Sequence, residues 1–183
     1  MDGGICSQMV QYAFGQLLKE QLTNQGINVV IKYNLSWFNE NGWDLLHKNK
    51  RNFDLLKLFP TISMNTASLT EIKVYKTLYE TKVQNFYDLI RINPPFCLDG
   101  YYDFPIEYYE SALQSFFNLD TKILDAENRK MLYTIQQCSV SCGVHVRRGD
   151  LANNEIALKS GYSSGICEEE YFINAINIIN KKN

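Results

Sequence analysis

Two adjacent glycines run without interruption into a helical pattern, and that junction constrains the chain more than any other feature. Gly3-Gly4-Ile5-Cys6-Ser7-Gln8 leads directly into Met9, Ala13, Phe14, Leu17 and Leu22, which recur at a spacing of three to four. A glycine loop that opens a helix offers backbone N–H groups at the positive end of a helix dipole, a place suited to a phosphate or a sugar hydroxyl. The same pair also serves as plain turn geometry without any ligand. Gly26 is placed to end the helix, and residues 28–33, with Val29, Val30 and Ile31, follow as a short β-branched strand. A helix followed by a strand predicts α/β layering; either the strand that normally feeds the glycine loop lies upstream of Met1 or the chain start is unusual.

A length of 183 residues suits one buried core. With 45% hydrophobic and 21% charged residues, the composition excludes a disordered tail, a collagen and a coiled-coil rod. The formal charge of -2 gives no general reason to coat nucleic acid, so any anion site has to be local. Neither an 18-residue apolar run nor a signal-peptide pattern is visible, so no transmembrane segment is expected. The expected location is cytoplasmic or peripheral to the inner face of the membrane. Five scattered cysteines (Cys6, Cys97, Cys138, Cys142 and Cys167) suit free, buried thiols in a reducing compartment better than a disulfide framework.

Farther along, residues 34–52 read as a polar loop carrying Trp37, Phe38 and Trp43 and the basic run Lys48-Asn49-Lys50-Arg51. A solvated loop is the ordinary reading of that run, and contact with an anionic lipid or an acidic glycan is the other. Residues 68–92 are mostly helix-compatible, with Leu69, Ile72, Tyr75, Leu78 and Tyr79 on one face. Residues 105–117 and 120–137 both read as helices. Residues 139–146 are the clearest strand, because Val140, Cys142, Val144 and Val146 alternate with small or polar residues. A final amphipathic helix over 168–181 is expected to turn Tyr171, Phe172, Ala175, Ile176 and Ile179 inward. Glu168-Glu169-Glu170 in its first turn favours the dipole.

The strand over 139–146 ends in His145-Val146-Arg147-Arg148-Gly149-Asp150, which places two guanidinium groups and one carboxylate where α/β sheets bind ligands. Asp150 neutralises one arginine, and the surplus charge suits a diphosphate. Strand parity sends Arg147 and Arg148 to opposite faces, so one of them is the main ligand contact. The alternative is an Arg148–Asp150 ion pair that pins the loop. Cys138, Cys142 and His145 do not converge as metal ligands, because the histidine has the opposite parity, so no metal site is expected. Trp37, Trp43, Tyr101, Tyr102 and Tyr108 suit either core packing or stacking against a sugar ring.

Together these segments resemble a known family. Gly3-Gly4-x-x-x-Gln8-Met9-x-Gln11-Tyr12-Ala13-Phe14-Gly15 resembles the opening GGLGNQMFQYAFG of the α-1,2-fucosyltransferases, glycosyltransferase family 11. His145 to Asp150 is similar to their HxRRGD motif. Gly100-Tyr101-Tyr102 with Tyr108-Tyr109 resembles the GYFQ…YF segment, and residues 167–176 resemble the C-x-x-x-Y-Y-x-x-A-I helix after the arginines. Order and spacing agree along essentially the whole chain. One departure lies at Ser7, which stands where the family has asparagine and has a shorter reach.

The resemblance implies the Rossmann-like N-terminal, acceptor-side domain of a GT-B glycosyltransferase over residues 1–183, with most of the C-terminal donor domain absent. It implies transfer of L-fucose from GDP-fucose to the 2-hydroxyl of a galactoside, with inversion and without a metal or other cofactor. The acceptor would be a galactoside-containing oligosaccharide or a lipid-linked glycan of a bacterial surface, with no nucleic acid partner. Arg147 or Arg148 would hold the GDP phosphates and stabilise the charge that grows on bond cleavage. His145 and Asp150 would orient that region, Gly3, Gly4, Ser7 and Gln8 would line the opposing wall near the sugar, and Tyr101 and Tyr102 would face the acceptor. The competing expectation is a non-catalytic remnant that binds a GDP-sugar or a glycan.

Overall fold

The computed structural model describes residues 1–44, 47–81, 83, 85–100, 105–146, 155, 158 and 167–180. It is a mixed α/β structure, mostly helical, with one two-stranded parallel sheet among the described residues. The chain divides into two units: Met1–Trp43 with Lys50–Ile123, and Asp44–Asn49 with Leu124–Asn183.

The first unit is built around helix α1, Ile5–Asn24. Gly4 precedes it in an extended conformation and offers no side-chain cap. At the other end Gly26 has φ +81, the left-handed conformation that glycine adopts without penalty. There the Gly26 N–H donates to the Thr23 carbonyl at 2.8 Å and the Ile27 N–H to the Leu22 carbonyl at 2.9 Å. These are the paired bonds of a Schellman stop, in which a contact such as that of Ile27 with the Leu22 cluster commonly takes part.

Helix α1 is buried on two sides. Ala13, Phe14, Leu17, Leu18 and Leu22 join Phe86, Leu89 and Ala112 in one cluster, while Tyr12 joins Tyr33, Leu55 and Phe59 in another. Each fully buried Leu or Phe contributes on the order of 2 kcal/mol, so this helix anchors the unit. Gly15 lies at the tightest approach, since a Cβ there would fall 2.5 Å from the Tyr33 hydroxyl.

Strand β1, Lys32–Tyr33, pairs in parallel with β2, Asn65–Thr66. Parallel strands need a long crossover, and here it carries helices α2, Ser36–Glu40, and α3, Leu55–Leu58. The sequence predicts a strand over residues 28–33, but only its last two residues have a ladder partner; Val30 before them is 69% exposed. After β2 comes α4, Leu69–Tyr79, which begins with a reciprocal capping box between Ser68 and Glu71. Leu69, Tyr75 and Leu78 on its apolar face are exposed. Helix α5, Phe86–Leu89, is capped by Asn85, and α6, Tyr109–Phe116, follows a 3₁₀ turn that starts after Pro105.

In the second unit, Asp44 draws a short turn together. Its carboxylate accepts from the Lys48 N–H at 2.9 Å and from the Asn49 backbone and side-chain N–H groups at 3.2 and 2.8 Å. Helix α7, Ala126–Gln137, is capped by Asp125, and α8 runs Glu169–Asn180.

Two expectations are corrected in this unit. Residues 141–146 form no ladder with any described residue, and Val140, Val144 and Val146 are exposed. Alternation specifies a strand only when a partner strand satisfies its backbone groups, and none is described here. Helix α8 forms as predicted, yet Tyr171, Ile176 and Ile179 are exposed rather than turned inward.

Candidate functional site

The glycine loop is held from within by two glutamines of the helix that it opens. Gly3 adopts φ +75, and Gly4 passes extended into α1. Gln8 is fully buried, at 0% exposure, and all of its amide capacity is used. Its Nε2 donates to the Gly3 carbonyl at 3.2 Å and the Asn52 carbonyl at 2.9 Å, and its Oε1 accepts from the N–H groups of Asp54 at 3.0 Å and Leu55 at 3.1 Å. Gln11, nearly one turn on, accepts from the Asp2 N–H at 3.1 Å and donates to the Asp2 carboxylate at 2.8 Å. The loop is therefore fixed before any ligand arrives.

Three backbone donors remain. The N–H groups of Ile5, Cys6 and Ser7 meet no acceptor among the described residues, and no acidic side chain occupies the first turn. The dipole of a 20-residue helix leaves partial positive charge at this end. A cation stands beside it: a Cβ on Gly4 would lie 3.8 Å from the Nη1 of Arg51, and Arg51 makes no ion pair among the described residues.

Arg51 is brought there by a tight hairpin. Trp43 and Lys50 form an antiparallel bridge, and the Arg51 N–H donates to the Gly42 carbonyl at 2.5 Å. The hairpin requires glycine at position 42, where a Cβ would fall 2.7 Å from the Phe38 carbonyl oxygen. The half-buried Arg51, free N–H groups and absence of a nearby acid in the helix turn make this end of α1 attractive to an anion.

Of the residues singled out by sequence, Gly3, Gly4, Ser7 and Gln8 come together at this helix start. Ser7 is half-buried. Gln8 holds the loop, so its amide has no bonding capacity left for a sugar. His145 is exposed and lies outside any ladder. Arg147, Arg148, Asp150, Tyr101 and Tyr102 lie outside the described residues.

The run Lys48 to Arg51 reads in sequence as a solvated loop or a contact for an anionic lipid or glycan, and its place beside Gly4 was not foreseen. The hairpin glycine, Gly42, just before Trp43, was the available signal. Among the other aromatics, Trp37 packs edge-on against Phe38 at 5.2 Å and Tyr108 lies 5.8 Å from Phe86, so both serve packing. The five cysteines are free thiols, but four of them are exposed rather than buried, and Cys97 is half-buried. Burial pushes the Cys97 thiol up, with a further push from Asp99.

Among the described residues, no group of three His, Cys, Asp or Glu side chains could hold a metal ion. None of the described helices is long and apolar enough to cross a membrane. Comparison of the chain with protein-family models, with curated proteins and with solved structures returned no match.

Proposed function

We propose that this chain is the Rossmann-like, acceptor-side part of a GT-B fucosyltransferase, moving L-fucose from GDP-fucose to the 2-hydroxyl of a galactoside. The observation that carries the reading is the uncapped start of α1, where the N–H groups of Ile5, Cys6 and Ser7 follow Gly3 and Gly4 beside the Arg51 guanidinium. The ordered agreement of Gly3 to Gly15, Gly100 to Tyr109, His145 to Asp150 and residues 167–176 with the family pattern supports the substrate class.

In this reading the acceptor hydroxyl oxygen attacks the anomeric carbon as the bond to the β-phosphate oxygen breaks, and the hydroxyl proton passes to a general base. GDP leaves with the electron pair, and configuration at that carbon inverts. Negative charge grows on the departing diphosphate, where Arg147 or Arg148 stabilises it. The N–H groups at the start of α1 and the Arg51 guanidinium offer the donor further anion contacts. Such preorganised donors supply the stabilisation that a divalent cation gives in other transferases. The resemblance gives His145 and Asp150 the role of orienting the arginine segment and Tyr101 and Tyr102 that of acceptor contacts.

Incubation of the purified chain with GDP-fucose and lactose tests the proposal. Released GDP together with a 2-fucosylated product supports it. Binding of GDP-fucose without turnover supports a remnant that binds the GDP-sugar, and failure to bind GDP-fucose removes the enzyme and that remnant, leaving a glycan-binding remnant to be tested with lactose alone.

A further inference from the structure

A second polar hollow lies well away from the glycine loop. It is a cavity of about 350 Å³ in the first unit, beside the middle and second half of α1 and at the amino ends of the two strands. Its nearest α1 residue, Tyr12, is eight positions from Gly4, or about 12 Å along the helix axis at roughly 1.5 Å per residue. A cavity of this volume accommodates a ligand of monosaccharide size or somewhat larger.

The lining is rich in uncommitted hydrogen-bonding groups. The hydroxyls of Ser63 and Ser115 and the side-chain amide of Asn65 have no hydrogen-bond partner among the described residues. Gln16 spends one N–H on the Tyr33 hydroxyl at 3.1 Å and keeps its carbonyl oxygen available. Lys19 is the one cation of the lining, no carboxylate lines the cavity, and Lys19 makes no ion pair among the described residues.

The geometry points to a second ligand site that takes a small polyhydroxylated monoanion, a sugar acid with one carboxylate. Hydroxyls and amides from α1, residues 61–65 and α6 match a ring of alternating donors and acceptors. A lone ammonium without a competing acid matches one carboxylate and leaves a doubly charged phosphate only half neutralised. Tyr12 and Gln16 of the lining are tied together behind it, because the Tyr33 hydroxyl donates to the Tyr12 carbonyl at 3.0 Å while accepting from Gln16. The site is independent of the transferase reading, since it shares no residue with the glycine loop or the arginine segment.

The test is a titration of the full chain with D-glucuronate, followed by amide chemical shifts, with D-glucose and acetate as controls. Saturable shifts at Gln16, Lys19, Asn65 and Ser115 are expected, with glucose and acetate each at least about tenfold weaker. Lys19→Gln, on an exposed helix position, is expected to weaken glucuronate about tenfold and to leave glucose unchanged. Ser115→Trp, which fills the cavity, should abolish the shifts. The proposal is overturned by the absence of saturable shifts, by shifts that acetate reproduces, or by a Lys19→Gln variant that binds glucuronate like the parent.

Discussion

Gln8 and Leu55, 47 positions apart in the chain, are joined inside the protein by a hydrogen bond of 3.1 Å between the glutamine Oε1 and the leucine N–H. Both residues are 0% exposed. The same amide reaches the Gly3 carbonyl, so one side chain ties the glycine loop to the start of α3. Removing it affects the fold and the candidate site together.

Gln8→Leu keeps the apolar stem but leaves two N–H groups and two carbonyls without their partner. Each buried unsatisfied group costs on the order of 1–3 kcal/mol, with some recovered by relaxation. A loss of about 3 kcal/mol is expected, read as a lowered urea midpoint. A loss below about 1 kcal/mol would contradict the clamp role.

Gly15→Ala places a methyl 2.5 Å from the Tyr33 hydroxyl. The helix-propensity gain of roughly 1 kcal/mol is outweighed by overpacking, for a net loss of about 1–2 kcal/mol. Tyr33→Phe removes the obstructing oxygen, so Gly15→Ala should cost measurably less in that background. A double-mutant cycle by chemical denaturation with zero coupling would contradict the packing argument.

The Lys32 ammonium, which donates to the Glu71 carboxylate, holds that acid down to about 2, with further help from the Ser68 N–H and hydroxyl. A depressed folded-state pKa stabilises the fold above the unfolded value of 4.5 and loses that contribution as pH falls toward about 2. Stability should therefore decline across that window, and Glu71→Gln should flatten the decline. The pair is surface-exposed, so raising the salt concentration should shrink the effect. Urea midpoints measured from pH 5 to 2, with and without added salt, check both statements.

Arg51→Ala should weaken GDP binding by about 1–2 kcal/mol, a charge-assisted contact with a phosphate, while leaving stability within about 0.5 kcal/mol. Arg147→Ala and Arg148→Ala, titrated separately with GDP, should reveal one arginine whose loss costs at least about 1 kcal/mol. If all three variants bind GDP like the parent, the diphosphate site is wrong.

Much of the helical structure is legible from local pattern. Met9, Ala13, Phe14, Leu17 and Leu22 mark α1, Gly26 stops it, and the helices within 105–117, 120–137 and 168–181 fall where their periodicity places them. Such features depend on bonds between residues four or five apart, so a short window of sequence contains their cause. Residues 139–146 show the limit of that reasoning. Their alternation describes a surface that could join a sheet, yet a ladder needs a partner, and no described residue supplies one.

The candidate site divides in the same way. A glycine pair ahead of a helix already announces an open amino end, because the missing Cβ and the helix dipole are local properties. Tertiary structure alone decided that the Gln8 amide turns inward to Asn52, Asp54 and Leu55, and that a hairpin made possible by Gly42 sets Arg51 beside Gly4. It also decided that Gln16, Ser63 and Ser115 face one hollow. Those relationships join positions tens of residues apart, and burial and close packing select them only once the whole first unit has condensed.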